Sequence, residues 1–313
     1  MDASVSHELS SDSGLRSQVS GLVSRRQALK ALAAGATLPL LGARAADSSP
    51  AAALRPPISG LPSPRGASRF ALGVASYTLR GMPLENALQA VKRVGLDRIS
   101  INRLHLPWEN SPPGWTAQLV KFKEAGVAAT CVGVLTLKDD EAQMRTAFDY
   151  VKTMGVPVFS CSPARAALPR LERFVKEYDV RAAIHNHGPE NEDWPSPHEP
   201  WQAIQSLDPR IGLCIDVGHT YRAGADPAQC IRDYHARLYD IHLKDTAVPV
   251  GTKKDEPIPV GRGVLDERGI LQALIDTGYN HTVWFEYEQS PEDPMPGLAE
   301  SVGYVRGLLR GMA

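Results

Sequence analysis

Leu213-Cys214-Ile215-Asp216-Val217-Gly218-His219 passes from an apolar run into polar residues within seven positions. Three other segments repeat the pattern: Ala182-Ala183-Ile184-His185-Asn186-His187-Gly188, Tyr239-Asp240-Ile241-His242-Leu243-Lys244-Asp245 and Val283-Trp284-Phe285-Glu286-Tyr287-Glu288. Short apolar runs bounded by turn residues read as strands buried on both faces, the state of strands in a parallel sheet. On this reading strands lie near Phe70–Ser76, Arg98–Asn102, Ala128–Leu135, Val158–Cys161, Ala182–Asn186, Gly212–Val217, Tyr239–Leu243 and Thr282–Glu286. The gaps carry helical patterns such as Leu84-x-x-Ala87-Leu88-x-x-Val91, Met144-x-x-Ala147-Phe148-x-x-Val151 and Ile270-Leu271-x-x-Leu274-Ile275, whose spacing buries one face. Gly95, Gly126, Gly155 and Gly278 are placed to end helices, and Asp226-Pro227 and Asp266 to begin them. Eight strand–helix units of roughly 25–30 residues predict a single α/β barrel of the (β/α)8 (TIM) type. No Gly-x-Gly-x-x-Gly follows the first strand, which argues against a dinucleotide-binding sheet.

The chain has 313 residues, enough for two average domains, but 1–68 does not read as core. Residues 1–24 are polar and Ser-rich. Arg25-Arg26, an apolar run from Ala31 to Leu41 and Ala43-Arg44-Ala45 follow, the order of an export signal with a small-residue cleavage site. The paired arginines resemble a twin-arginine signal with Ala28 in the usual place of Phe. Residues 1–45 are therefore expected to be a signal peptide read by the twin-arginine translocase, 46–68 a disordered Pro/Ala/Ser-rich linker, and 69–313 the barrel. The expected location is the periplasm or another exported compartment. Net charge is −1, from 34 Lys+Arg against 35 Asp+Glu, and no basic nucleic-acid surface is expected. Cys131, Cys161, Cys214 and Cys230 contain no Cys-x-x-Cys pair, so neither a disulfide scaffold nor a zinc finger is implied.

Barrel active sites occupy the C-terminal ends of the strands, and the polar residues of the last four strands fall there. Residues two apart share a strand face, so His185 pairs with His187, His242 with Lys244 and Glu286 with Glu288. Four adjacent strand ends can aim His185, Asp216, His242 and Glu286 at one point. Such a nitrogen and oxygen set suits a divalent transition ion better than calcium.

The set His185-Asn186-His187-Gly188, Asp216-x-x-His219, His242-x-Lys244-Asp245, Gly261-Arg262-Gly263 and Glu286 resembles the xylose-isomerase-like sugar isomerase/epimerase barrels over roughly residues 70–310. The resemblance implies one divalent metal ion (Mn, Zn, Co, Fe or Mg) on His185, Asp216, His242 and Glu286, with His187 as the alternative ligand on the fifth strand. It implies Glu286, His187 and His219 as acid/base groups, and His105, Lys244 and Arg262 as substrate contacts. Many family members carry Glu where His185 stands, and their two carboxylates remove and return a proton. With one carboxylate left, elimination or hydration of 3-keto-glycosides, keto-sugars or keto-inositols stands beside isomerisation or epimerisation. A non-catalytic sugar-binding protein is a third reading, and a homo-oligomer stays open. The same barrel serves three-zinc endonucleases, but these need about twice as many ligands and a basic groove. Export and the lack of a Gly-rich phosphate loop favour an unphosphorylated carbohydrate.

Replacing Arg25 and Arg26 together by Lys is expected to hold the protein in the cytoplasm, as read by fractionation.

Overall fold

The computed structural model describes residues 70–108 and 112–312, so the leader and linker expected at 1–45 and 46–68 lie outside the described residues. All eight expected strands form: β1 (Ala71–Ala75), β2 (Arg98–Ile101), β3 (Ala128–Leu137), β4 (Val158–Pro163), β5 (Arg181–His185), β6 (Ile211–Asp216), β7 (Leu238–Leu243) and, after the short β8 (Asp245–Thr246) and β9 (Pro257–Ile258), β10 (Thr282–Phe285). They close a barrel in the order β1-β10-β7-β6-β5-β4-β3-β2, every neighbouring pair parallel. Around it run α1 (Leu84–Arg93), α2 (Pro112–Ala125), α3 (Glu141–Met154), α4 (Leu168–Tyr178), α5 (His198–Ile204), α6 (Val217–Arg222), α7 (Pro227–Tyr234), α8 (Glu267–Asp276) and α9 (Met295–Met312).

The local signals act as their chemistry requires. Asp226 and Asp266 accept hydrogen bonds from the first-turn amides of α7 and α8. Gly155 ends α3 at φ 65, where a side chain would be strained. Two features differ from the one-helix-per-gap expectation. Between β6 and β7 the chain makes two helices, because Gly224 turns at φ 86 and Asp226-Pro227 caps a fresh start. The segment after β7 adds the antiparallel β8–β9 hairpin before α8.

The α-layer core is aromatic at Phe148, which meets Phe159, Phe174 and Tyr178 with ring centroids 5.2–5.3 Å apart. Inside the barrel, Trp284 lies across Gly73, where a Cβ would come within 2.3 Å of the indole. Its Nε1 donates to Asp240 Oδ1 at 2.6 Å. With Ala75, Cys131 and Val158, Trp284 forms a dry floor beneath the strand ends. All four cysteines are buried free thiols. Among the described residues no helix is long and apolar enough to cross a membrane.

The strap after β7 is pinned by Asp245, which accepts from the amides of Thr246 (2.9 Å), Gly261 (3.0 Å) and Gly263 (2.7 Å). Glu267, only 5% exposed, joins it by accepting from Gly261 at 3.2 Å. Burial and the adjoining Asp245 push the Glu267 carboxyl from its ordinary 4.5 up to about 8. The folded chain thus keeps a proton that the unfolded chain releases, and stability falls as pH rises through that window. Thermal unfolding across pH 4.5–8 is expected to show the Tm of the native chain falling relative to that of Glu267→Gln as pH rises.

Candidate metal centre and active site

His185 closes β5, Asp216 closes β6, His242 is the last but one residue of β7, and Glu286 follows β10. Asp216 and His242 are direct partners across the β6–β7 ladder. The alternation of the strands turns all four side chains inward, and none is more than 7% exposed. Their ligand atoms lie within 4.8 Å of one another. His185 Nε2 stands 3.2 Å from His242 Nδ1 and 3.6 Å from Asp216 Oδ2, and His242 Nδ1 stands 2.9 Å from Glu286 Oε2.

The quartet fits a divalent ion on three grounds. Asp216 divides its oxygens: Oδ1 accepts from the His219 amide at 2.9 Å and caps α6, while buried Oδ2 has no hydrogen-bond partner and faces the cluster. Nitrogens of His185 and His242 converge at 3.2 Å beside the carboxylates of Asp216 and Glu286, a mixed nitrogen and oxygen set that suits a divalent transition ion. These spacings approach the roughly 3.3 Å edge of a four-ligand shell with bonds of about 2.0–2.2 Å. A buried orphaned carboxylate oxygen is costly unless a cation or donor meets it.

The charges around the quartet are interlocked. Burial pushes Asp216 up to about 7, with Lys244 opposing. Burial would also raise Glu286, but His242 and Lys244 overcome it and hold this carboxyl well below the usual carboxylate range. Burial would lower His242; the charge and hydrogen bond of Glu286, then Asp240, lift it to about 9. Lys244 is buried yet held well above its ordinary range by Asp216, Glu288 and Glu286. Its Nζ lies 3.5 Å from Asp216 Oδ2 and 3.6 Å from Glu286 Oε2, and it donates to Glu288.

His187 and His219 join the cluster without entering the quartet. His187 Nδ1 is 3.5 Å from His185 Nδ1, and burial pushes it down to about 4. His219 Nε2 is 3.1 Å from Lys244 Nζ, and burial likewise keeps this imidazole neutral. Two expected substrate contacts are placed otherwise. His105 spends both ring nitrogens on the wall, Nδ1 with Ser76 Oγ and Nε2 with the Leu79 carbonyl, each at 3.1 Å. Arg262 is 64% exposed and bonds Glu300 of α9, outside the cluster, because Asp245 holds the glycines on either side of it.

Several residues at the site went unread in the sequence. Asn186 accepts from the Asp216 amide at 3.0 Å and donates to Thr220 Oγ1 at 3.1 Å, fixing the end of β6. Asp240, two residues before His242 on the same strand face, lies 3.7 Å from His242 Nε2. Arg222 is fully buried between loops. Only Glu288 had a signal, its place two residues after Glu286.

Comparison with known proteins agrees with this architecture. The profile of the xylose isomerase-like TIM barrel family matches residues 135–308. The chain is 27% identical over 154 residues to an inosose dehydratase from Klebsiella pneumoniae, covering 44% of this chain and 51% of that protein. It is 29% identical over 113 residues to a probable endonuclease 4 from Alkaliphilus oremlandii, covering 33% and 39%. The chain thus spans about two fifths to half of these relatives. The structure of an L-ribulose 3-epimerase superposes with TM-score 0.62 at 15% identity, over 77% of this chain and 95% of that one; this likeness concerns the fold.

Elemental analysis is expected to find one divalent ion per chain, lost in Asp216→Ala and in His242→Ala. Chelation should lower Tm, since a ligand at 100 times its Kd stabilises the folded state by about 2.7 kcal/mol.

Proposed function

The chain belongs to the xylose isomerase-like TIM barrel family, and on that footing we propose that it is a metal-dependent sugar isomerase or epimerase. Its reaction is removal of a proton next to the carbonyl of an unphosphorylated sugar or keto-sugar. One observation carries this reading: Glu286 is a carboxylate kept ionised at the edge of a metal-type quartet, 2.9 Å from His242 and 3.6 Å from Lys244. A divalent ion in the quartet supplies Lewis-acid polarisation of substrate oxygens. Glu286 accepts the carbon-bound proton. Lys244, kept cationic by three carboxylates, donates to oxygen as negative charge develops there. His187 and His219 are neutral, so each offers one donor and one acceptor nitrogen for returning a proton.

The charge balance supports a neutral substrate. Lys244 faces Asp216, Glu286 and Glu288, and Arg222 faces Glu190 and Asp255, so carboxylates outnumber these cations and the site carries no surplus positive charge to attract a phosphate dianion. The relatives support sugar chemistry of this kind, one being an inosose dehydratase and a solved neighbour an L-ribulose 3-epimerase. The Arg25-Arg26 and Ala43-Arg44-Ala45 signals support, as part of the proposal, export by the twin-arginine translocase and a reaction outside the cytoplasm.

A second reading rests on His185. The fifth strand presents an imidazole engaged with His242 and Asp216, not a second carboxylate base. One base and a neighbouring acid suffice for elimination of water or alcohol, or the reverse addition, on 3-keto-glycosides, keto-sugars or keto-inositols. The endonuclease reading finds less support: the metal-type groups among the described residues share His185 and His242 and form one cluster.

Metal-loaded protein incubated in D2O with ketoses, aldoses and keto-glycosides, followed by NMR, identifies the carbon that exchanges. Glu286→Gln is expected to lose ~10²–10⁴-fold in exchange rate. Isomerisation or epimerisation leaves the carbon skeleton's oxygens in place, whereas the second reading releases water or an alcohol. Full exchange by Glu286→Gln, or no exchange with any of these sugars, overturns the proposal.

A further inference from the structure

Glu286 lies one residue past the end of β10. Phe285 is the last partner of Val74 on β1 and of Leu243 on β7. The Glu286 amide still donates to the Leu243 carbonyl at 3.1 Å, which ties it to β7. On the β1 side the ladder has run out, because Ser76–Leu79 leaves the sheet and coils into a single 3-10 turn. The backbone keeps two soft dihedrals at each residue, and a carboxylate beyond the last rung swings with them. Strand pairing alone therefore does not place the fourth corner of the quartet.

One side chain of the 3-10 turn takes over where the ladder stops. Thr78 has no exposed surface and reaches from β1 toward β10. Its Oγ1 donates to the Phe285 carbonyl at 3.2 Å and accepts from the Tyr287 amide at 2.9 Å. The carbonyl belongs to the peptide unit before the Glu286 Cα, and the amide to the unit after it. A hydroxyl is a donor and an acceptor at once, and here both capacities are used. A single oxygen thus bridges the two peptide planes that meet at Glu286 and constrains both of its backbone dihedrals. The turn is itself braced. Arg80 donates from Nη1 to the Tyr77 carbonyl at 3.2 Å and from Nη2 to the Glu288 carbonyl at 2.5 Å, with its guanidinium 4.8 Å over the Tyr77 ring. Gly81 lets the turn lie against the segment after Glu288, since a Cβ there would come within 2.1 Å of the Pro291 carbonyl. From the other side His105 bonds Ser76 Oγ and the Leu79 carbonyl, so this histidine supports the turn.

We propose that Thr78 is a positioning residue for Glu286: its hydroxyl, on a turn braced by Arg80, holds the backbone on both sides of that carboxylate so that Glu286 completes the quartet. The hold on the backbone stands on these bonds alone. Its consequence for an ion rests on the metal-centre reading above.

The test uses the full chain. Thr78→Val keeps the shape of the side chain and removes the hydroxyl, whereas Thr78→Ser keeps the hydroxyl. Hydrogen exchange at the Tyr287 amide, followed by 15N NMR, is expected to rise roughly tenfold or more in Thr78→Val and to return to the native range in Thr78→Ser. Zinc affinity, measured by competition with a chromophoric chelator, should fall ~10–100-fold in Thr78→Val, the usual cost of losing an outer partner of a metal ligand, and recover in Thr78→Ser. In a Glu286→Gln background Thr78→Val should cost no further affinity, because the group it positions is already altered. General loosening of the fold would instead cost the same factor in both backgrounds. Arg80→Met, at a partly exposed position, serves where Thr78→Val does not fold: it should speed Tyr287 exchange and weaken zinc roughly two- to tenfold. Unaltered Tyr287 exchange or unaltered zinc affinity in Thr78→Val, or an equal loss in both backgrounds, overturns the proposal. A native chain that takes up no zinc strikes the metal-centre reading and with it the role toward an ion, and Tyr287 exchange then decides the hold on Glu286. Neither readout uses a sugar, so failure of the sugar-enzyme reading registers separately, in the D2O experiment.

Discussion

Charges buried together at one end of a closed barrel are the condition on which the rest of this protein depends. Asp216, His242, Lys244 and Glu286 are all nearly inaccessible to water. A single ion moved into such surroundings costs several kcal/mol even after relaxation. None of these groups is tolerable alone, so each is matched: Lys244 by three carboxylates, Glu286 by His242 and Lys244, His242 by Glu286 and Asp240. Matching demands positions fixed to fractions of an ångström, and the surrounding structure supplies them. Asn186 ties the end of β5 to β6, the Trp284 floor excludes water from below, and Asp245 anchors the strap above. Asp216 Oδ2 and His242 Nε2 are left without a hydrogen-bond partner, and the nearest cation to Oδ2 is Lys244 at 3.5 Å.

The barrel was legible because its signals are local and repeated. Eight apolar runs, helix-ending glycines and Asp caps each act within a turn or two of chain. The quartet was legible too, since strand alternation and the barrel's polarity convert sequence spacing into a shared direction. What escaped depends on contacts between distant segments. Nothing in Ala225-Asp226 or its neighbours announces that Arg222 threads between loops 30 residues away on either side. Asp240 looks like a strand residue that faces the core by accident, until the indole of Trp284 and the ring of His242 are placed around it. Arg262 misled for the opposite reason: a charged residue between two glycines suggests reach into a site, whereas the carboxylate of Asp245 turns that backbone outward.

Sequence relatives named for quite different activities, an endonuclease and a dehydratase, share segments with this chain. Strand-end presentation of nitrogen and oxygen ligands can serve any reaction that develops charge on a substrate oxygen. Discrimination among those reactions falls to the groups around the ligands. Here these are Lys244 among three carboxylates, two buried imidazoles, His187 and His219, and the carboxylate of Glu286.

The barrel closes where β1 meets β10, with Ala71 beside Thr282 and Val74 beside Phe285. Glu286 follows directly on that closing strand. The seam therefore joins two strands more than two hundred residues apart in sequence, and Glu286 is delivered by the last strand of the barrel. Without β10, seven strands and three corners of the quartet leave an open sheet edge and no Glu286. Completion of the ligand set and protection from edge-to-edge association thus arrive in the same step.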